Sequence, residues 1–225
     1  MGNLTQISES LVASIKDGEL QNVSIDILEA ISDTMFKDGL LKDIPILGTL
    51  FGLTKASSNI KDKLFGKKLL YFLIQFKDIP KQERIKQINK IQADSNYRTK
   101  VGEKILFIID KCEDSEKSEL VGKLFKAFLE EKITYGEFLR CSNCIENVFL
   151  EDLLEFIKSP SFKSDIKQSS SLLNAGIMAL DNIKPKVTAE KNRYSMKDEL
   201  VYNVENTKLT CSISPIGALL LRILK

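Results

Sequence analysis

Apolar residues recur at helical spacing through most of the first 160 positions. Leu4, Ile7, Leu11 and Ile15 share one face of a 3.6-residue spiral, as do Ile27, Leu28, Ile31 and Met35. Each set predicts an amphipathic helix, and Asp38-Gly39 ends the second. Leu69, Leu70, Phe72, Leu73, Ile74 and Phe76 are apolar nearly all round, the pattern of a helix at the centre of its domain. Lys77-Asp78-Ile79-Pro80 closes it. Ile85, Ile88 and Ile91 then form a narrow stripe among Arg84, Lys86 and Lys90, which predicts a surface helix with its basic side in water.

Val101, Ile105, Ile108, Ile109 and Cys112 give the fullest stripe in the chain. Glu113-Asp114-Ser115 supplies a turn and an N-cap for the helix carrying Leu120, Leu124, Phe125 and Phe128. Thr134-Tyr135-Gly136-Glu137 has the form of a capping box, in which the Thr and Glu side chains satisfy each other's backbone N–H. Phe138, Cys141, Ile145 and Val148 form the face that follows. Leu153, Leu154 and Ile157 close the helical body, and Ser159-Pro160-Ser161 marks a boundary.

Past that boundary the period changes. Leu172, Leu173 and Ile177 suit a short helix stopped at Gly176. Leu200, Tyr202 and Val204 alternate, and so do Leu209, Cys211 and Ile213, with the polar run Glu205-Asn206-Thr207-Lys208 between them. Period two on both sides of a polar turn predicts a β-hairpin across it. Ser214-Pro215 is an N-cap and first helical residue, and Ala218, Leu219, Leu220, Leu221, Ile223 and Leu224 form a last apolar helix. The expected fold is mainly α. A multi-helix body (1–160) precedes a small winged-helix-like α+β C-terminal unit (161–225) built of helix, one β-hairpin and helix. There is no internal repeat and no low-complexity tract.

The segments S-L-L-N-A-G-I-M (171–178) and Y-N-V-E-N-T-K-L-T-C-S-I-S-P-I-G-A-L-L-L-R-I-L (202–224) resemble the tail of abortive-infection alpha-type proteins, small bacterial proteins linked to phage defence. The resemblance covers about a quarter of the chain, and Ser214 stands where that family usually carries Thr. It implies a defence context rather than a reaction.

Composition narrows the chemistry. Apolar residues make up 43% of the 225 positions and charged residues 28%, an ordinary globular balance that allows a core without disulfides. Histidine is absent, so neither a Ser-His-Asp nor a Cys-His nucleophile can be assembled within the chain, nor a His-ligated metal. The first twenty residues lack a basic stretch followed by an apolar run, so the expected compartment is the cytoplasm with Cys112, Cys141, Cys144 and Cys211 reduced. Cys141-Ser-Asn-Cys144 has redox or zinc spacing. It lies seven residues into its helix, on or beside the apolar face, without further ligands, and reads as a pair of core cysteines. No catalytic, cofactor-binding or metal residues are assigned, and no cofactor is expected.

Net charge is only +2, but it is unevenly spread. Residues 54–104 carry thirteen Lys/Arg and five Asp/Glu, 13 − 5 = +8, whereas residues 105–157 carry six and twelve, 6 − 12 = −6. Such blocks either face ligands of opposite charge or pack side by side and neutralise each other.

Two stretches are candidate surfaces. Ile44–Leu53 is a ten-residue apolar run, roughly 15 Å as a helix and half the hydrocarbon thickness of a bilayer, too short to span one. As scaffold, its Gly48 and Gly52 let a neighbouring helix pack close. As a membrane or partner surface, Ile44, Leu47, Leu50 and Phe51 act beside the basic Lys61, Lys67 and Lys68. In the tail, Lys184, Lys186, Lys191, Arg193 and Lys197 form a candidate nucleic-acid or partner surface. The helix expected near Lys163–Asn174 offers only Gln168 and Asn174 for reading bases.

The sequence therefore points to a non-enzymatic cytoplasmic protein-interaction component with an unidentified protein partner, in the bacterial or phage-defence setting that the resemblance implies. A membrane-active effector using Ile44–Leu53 and DNA binding through the tail are the alternatives. Nothing in the pattern fixes an oligomeric state.

Overall fold

The computed structural model describes residues 4–23, 44–52, 60–94, 100–161, 163–165, 169–181, 186–191, 200–205 and 209–225. Within them the chain is mainly helical, with a small antiparallel three-stranded sheet near the C-terminus. The body contains α1 (Leu4–Lys16), α2 (Pro45–Gly52), α3 (Ile60–Ile74), α4 (Lys81–Ala93), α5 (Val101–Lys111), α6 (Ser115–Leu129), α7 (Tyr135–Asn147) and α8 (Leu150–Lys158). The helix expected around Ile27, Leu28, Ile31 and Met35 lies outside the described residues.

α3 and α6 form the centre. Phe72, Phe76, Phe125 and Phe138 are all fully buried, and the ring of Phe125 lies 5.2–5.3 Å, centroid to centroid, from each of the other three. The helices approach closely because Gly122 has no side chain. A Cβ there would stand 2.6 Å from the carbonyl oxygen of Phe72. Leu69, Leu70, Phe72, Leu73 and Ile74 of α3 are all buried, as their apolar pattern requires.

α2 lies on α1. The backbone N–H of Ile46 donates to Ser14 Oγ (2.9 Å), and the hydroxyls of Ser10 and Thr49 pair at 2.7 Å. Ile44, Ile46 and Leu47 are buried in the common core.

The expected caps are present. Asp114 accepts the N–H of Lys117 at 2.8 Å, and Thr134 and Glu137 close a full capping box. α4 differs from its expected form. Its buried face is Arg84, Gln87, Ile88 and Ile91, while Ile85 is half-buried. Arg84 is not in water: its Nη2 donates to the carbonyl of Asp17 (2.5 Å), capping the C-terminal end of α1.

The C-terminal region contains β1 (Lys163–Asp165), α9 (Ser170–Asn174), β2 (Met178–Leu180), β3 (Lys186–Lys191), β4 (Leu200–Glu205), β5 (Thr210–Ile213) and α10 (Pro215–Leu224). The helix expected near Lys163–Asn174 is therefore shorter, and Lys163 lies in a strand. Gly176 ends α9 at φ +79°, a conformation that glycine adopts without a Cβ penalty.

The hairpin expected between Leu200–Val204 and Leu209–Ile213 does not form. β4 pairs instead with β3, from Lys186 opposite Glu205 to Lys191 opposite Leu200. β5 pairs with β1 and β2 in the order β1-β5-β2. Period-two alternation identifies a strand but not its partner, and in β3 it rests on Val187 and Ala189 alone, too little apolar bulk to have marked the strand. α10 packs on α6 and α7, and Ile177, Met178, Cys211, Leu220 and Leu221 join the buried cluster of the body.

Candidate docking groove

The basic and acidic blocks of the sequence meet along a seam. On one side, α3 carries Lys61, Leu64, Phe65, Lys67, Lys68 and Tyr71. On the other, the end of α5 and the start of α6 supply Asp110, Glu113, Asp114, Ser115 and Glu116. Between them runs an open groove of about 570 Å³. One wall is basic and the other acidic, and Leu64, Phe65 and Tyr71 give it an apolar lining.

The framework is held from both sides. Lys68 Nζ donates to the carbonyls of Asp110 (2.9 Å) and Cys112 (2.7 Å), so its charge caps the C-terminal end of α5. The same ammonium lies 6.0 Å from the centre of the Phe65 ring, and Lys67 Nζ lies 5.6 Å from that of Tyr71. Across the groove, Asp114 caps α6. Lys117, 1% exposed, reaches Glu113 at 3.0 Å and the carbonyl of Glu146 at 3.4 Å.

The rim is apolar. Ile60 is 75% exposed and Leu64, one turn further along α3, is 57% exposed. Phe107, 51% exposed, lies three residues before Asp110 on α5. The groove can therefore take apolar side chains and set charges of both signs around them.

Of the residues singled out from sequence, Lys61, Lys67 and Lys68 line this groove. Ile44 and Leu47 are buried and unavailable at the surface, and Leu50 is partly buried against the core. The side chain of Phe51 lies outside the described residues. Lys186 and Lys191 open and close β3, with side chains outside the described set, and Lys184, Arg193 and Lys197 lie wholly outside it. Leu64, Phe65, Tyr71 and the acidic wall escaped the sequence reading. Their signal was present as the switch of charge near residue 104 and as Ile60 and Leu64, an i, i+4 apolar pair ahead of the buried run.

Other clusters are structural in character. Glu131 ends α6 at φ 58°, accepts from Gln87 Nε2 at 2.5 Å and lies 3.7 and 3.6 Å from Lys86 and Lys90. That hydrogen bond, followed by the two lysines, holds its carboxyl below the usual range. All four cysteines are free and buried. Burial pushes Cys141 up to about 12, with Cys144 and Glu137 adding to the effect, so the Cys141-x-x-Cys144 pair has no thiolate character at neutral pH. Among the described residues no group of three or more Cys, Asp or Glu is placed to hold a metal, and no helix is long and apolar enough to cross a membrane. Comparison with protein-family models, with curated proteins and with solved structures finds no match to this chain.

Proposed function

We propose that this chain is a non-enzymatic protein-interaction component that docks a segment of a protein partner in the groove between α3 and the α5–α6 turn. The observation that carries the reading is the 57% exposure of Leu64 in a groove also lined by Phe65 and Tyr71, with Ile60, one turn before it on α3, 75% exposed. Apolar side chains gathered in water beside a concave surface mark interaction sites. The two charged walls set orientation and exclude wrong partners more than they add affinity. The resemblance of the tail to abortive-infection alpha-type proteins is what suggests a bacterial or phage-defence setting.

A photo-crosslinking residue at position 64 of the full chain tests this in an extract of the source cell. A discrete adduct is expected there and not from the same residue at the exposed Asn143 on α7. Equal labelling at the two positions, or none at 64, would end the docking reading.

A second reading, nucleic-acid binding by a winged-helix-like tail, is favoured by the sheet. The order β1-β5-β2, with α9 just before β2 and the β3–β4 ladder between β2 and β5, suits a wing. Lys186 and Lys191 on β3 would then meet phosphates. A mobility shift that weakens with salt and is reduced by Lys186→Ala with Lys191→Ala supports it, and absence of a shift at low salt ends it.

A further inference from the structure

We infer that the occupant of the groove is a second copy of this chain, joined about a two-fold axis that runs along the groove. The inference rests on the groove being a docking surface and adds the identity of what docks there. A two-fold interface places one patch against itself, so each residue must find its complement elsewhere on the same patch. Few surfaces meet that condition, and this one does.

Lys61 and Lys67 line the groove from α3, together with Leu64, Phe65 and Tyr71, and Asp110 and Glu116 line it from the α5–α6 side, where Glu113 is already paired with Lys117. With the axis along the groove, each basic wall faces the partner's acidic wall, and Leu64 comes to lie near its own counterpart. Ile60 and Leu64 are 75% and 57% exposed, so pairing of the two patches takes both side chains out of water. Lys68 takes no part, because two backbone carbonyls hold it.

The charges that face each other are exposed and therefore screened by salt. The apolar contribution comes from a handful of side chains. A stable interface of standard size buries about 800 Å² per partner, more than a handful of side chains supplies. A dimer that is concentration-dependent and weakened by salt is the expected form.

Sedimentation velocity on the full chain across the micromolar range provides the test. The wild type should shift from monomer toward dimer with concentration, and Leu64→Glu should weaken association at least tenfold. Two charge-reversed chains make the test specific. One carries Lys61→Glu with Lys67→Glu, the other Asp110→Lys with Glu116→Lys. Each alone should associate more weakly than wild type, since positions 61 and 67 then face positions 110 and 116 of like charge. Mixed one to one they should form a heterodimer, because at those four positions the facing charges are again opposite. All four positions are at the surface or half-buried, and unchanged circular dichroism will confirm that the fold is kept.

A wild type that stays monomeric throughout, or a dimer indifferent to Leu64→Glu and to both reversals, overturns the inference. So does failure of the two reversed chains to associate on mixing. If position 64 still captures a different polypeptide while the chain is monomeric, the docking reading survives and only self-association falls.

Discussion

The carbonyl oxygen of Ile177 occupies the space that a Cβ on Gly217 would need. The two residues lie 40 positions apart, one just after α9 and the other in the first turn of α10. Ser214 ties the same two places together. Its N–H donates to the Ile177 carbonyl at 3.0 Å and its hydroxyl to the Gly176 carbonyl at 2.7 Å, while Ser214 Oγ accepts the Gly217 N–H at 3.0 Å. A serine that both caps a helix and crosses to a neighbouring turn, next to a glycine required by close approach, explains why Gly176, Ser214 and Gly217 occur together.

Gly217→Ala should therefore destabilise the fold. By helix propensity alone the change would stabilise by about 1 kcal/mol. Here the added methyl meets backbone that cannot rotate away, and overpacking of that kind costs about 1–3 kcal/mol. Urea denaturation should show a loss. A gain would mean that α10 can move off the Ile177 turn at little cost.

Much of this architecture could be read from the sequence, and what could not has physical causes. Local rules located the caps at Asp114, Thr134 and Ser214 and the stop at Gly176, because each is satisfied within a few residues. The all-round apolar run 69–76 correctly marked the centre of the core. Pairing was not legible. β4 and β5 are adjacent in sequence but bond to different partners, and no local pattern carries that information. Arg84 resembled any basic surface residue until the end of α1 was brought to it by tertiary packing. The groove was half visible, since its lysines belong to a charge block. Its acidic wall comes from the far side of a helix and a loop.

Arg84 offers a test of how much a buried charge contributes here. Only Nη2 has a hydrogen bond, to Asp17, and Nε and Nη1 have no partner among the described residues. Burial lowers its pKa, opposed in part by Asp17. Replacing a poorly compensated buried charge by an apolar side chain of similar length is often neutral or stabilising. Arg84→Met should change the unfolding free energy by less than about 1 kcal/mol or raise it, since one net hydrogen bond is worth roughly that much. A loss above about 2 kcal/mol would show that the guanidinium does more than cap α1.

Glu131 should make the docking of α4 sensitive to acid. Its carboxyl is held below the ordinary value of 4.5 by Gln87 and then by Lys86 and Lys90. A depressed folded pKa stabilises above the unfolded value and loses that contribution as pH falls through the folded one. The carboxylate is exposed, so added salt should reduce the effect. Glu131→Gln should be less stable than wild type near neutrality, and the two curves should converge below the folded pKa. Parallel curves across that window would show that the carboxylate does not hold the contact.

The thiols predict the opposite limb of the pH profile. Burial raises Cys112 and Cys144, and it carries Cys141 from an ordinary 9.0 up to about 12. The folded state therefore keeps these thiols neutral where the unfolded chain ionises them. Their contribution is complete below about pH 9, declines as pH rises through that value and is exhausted for Cys141 near 12. Each such thiol lowers the unfolding free energy by about 1.4 kcal/mol per pH unit within its window. Urea titrations at successive pH values above 9 should show this slope, and Cys141→Ala should make it shallower while lowering stability at neutral pH by leaving a cavity. Thiol reagents give an independent reading of the same burial. At mildly alkaline pH the native chain should react slowly at Cys112, Cys141 and Cys144, and denaturant should release all three together. Fast native labelling of Cys141 or Cys144 would contradict their burial and reopen the pair as a redox couple.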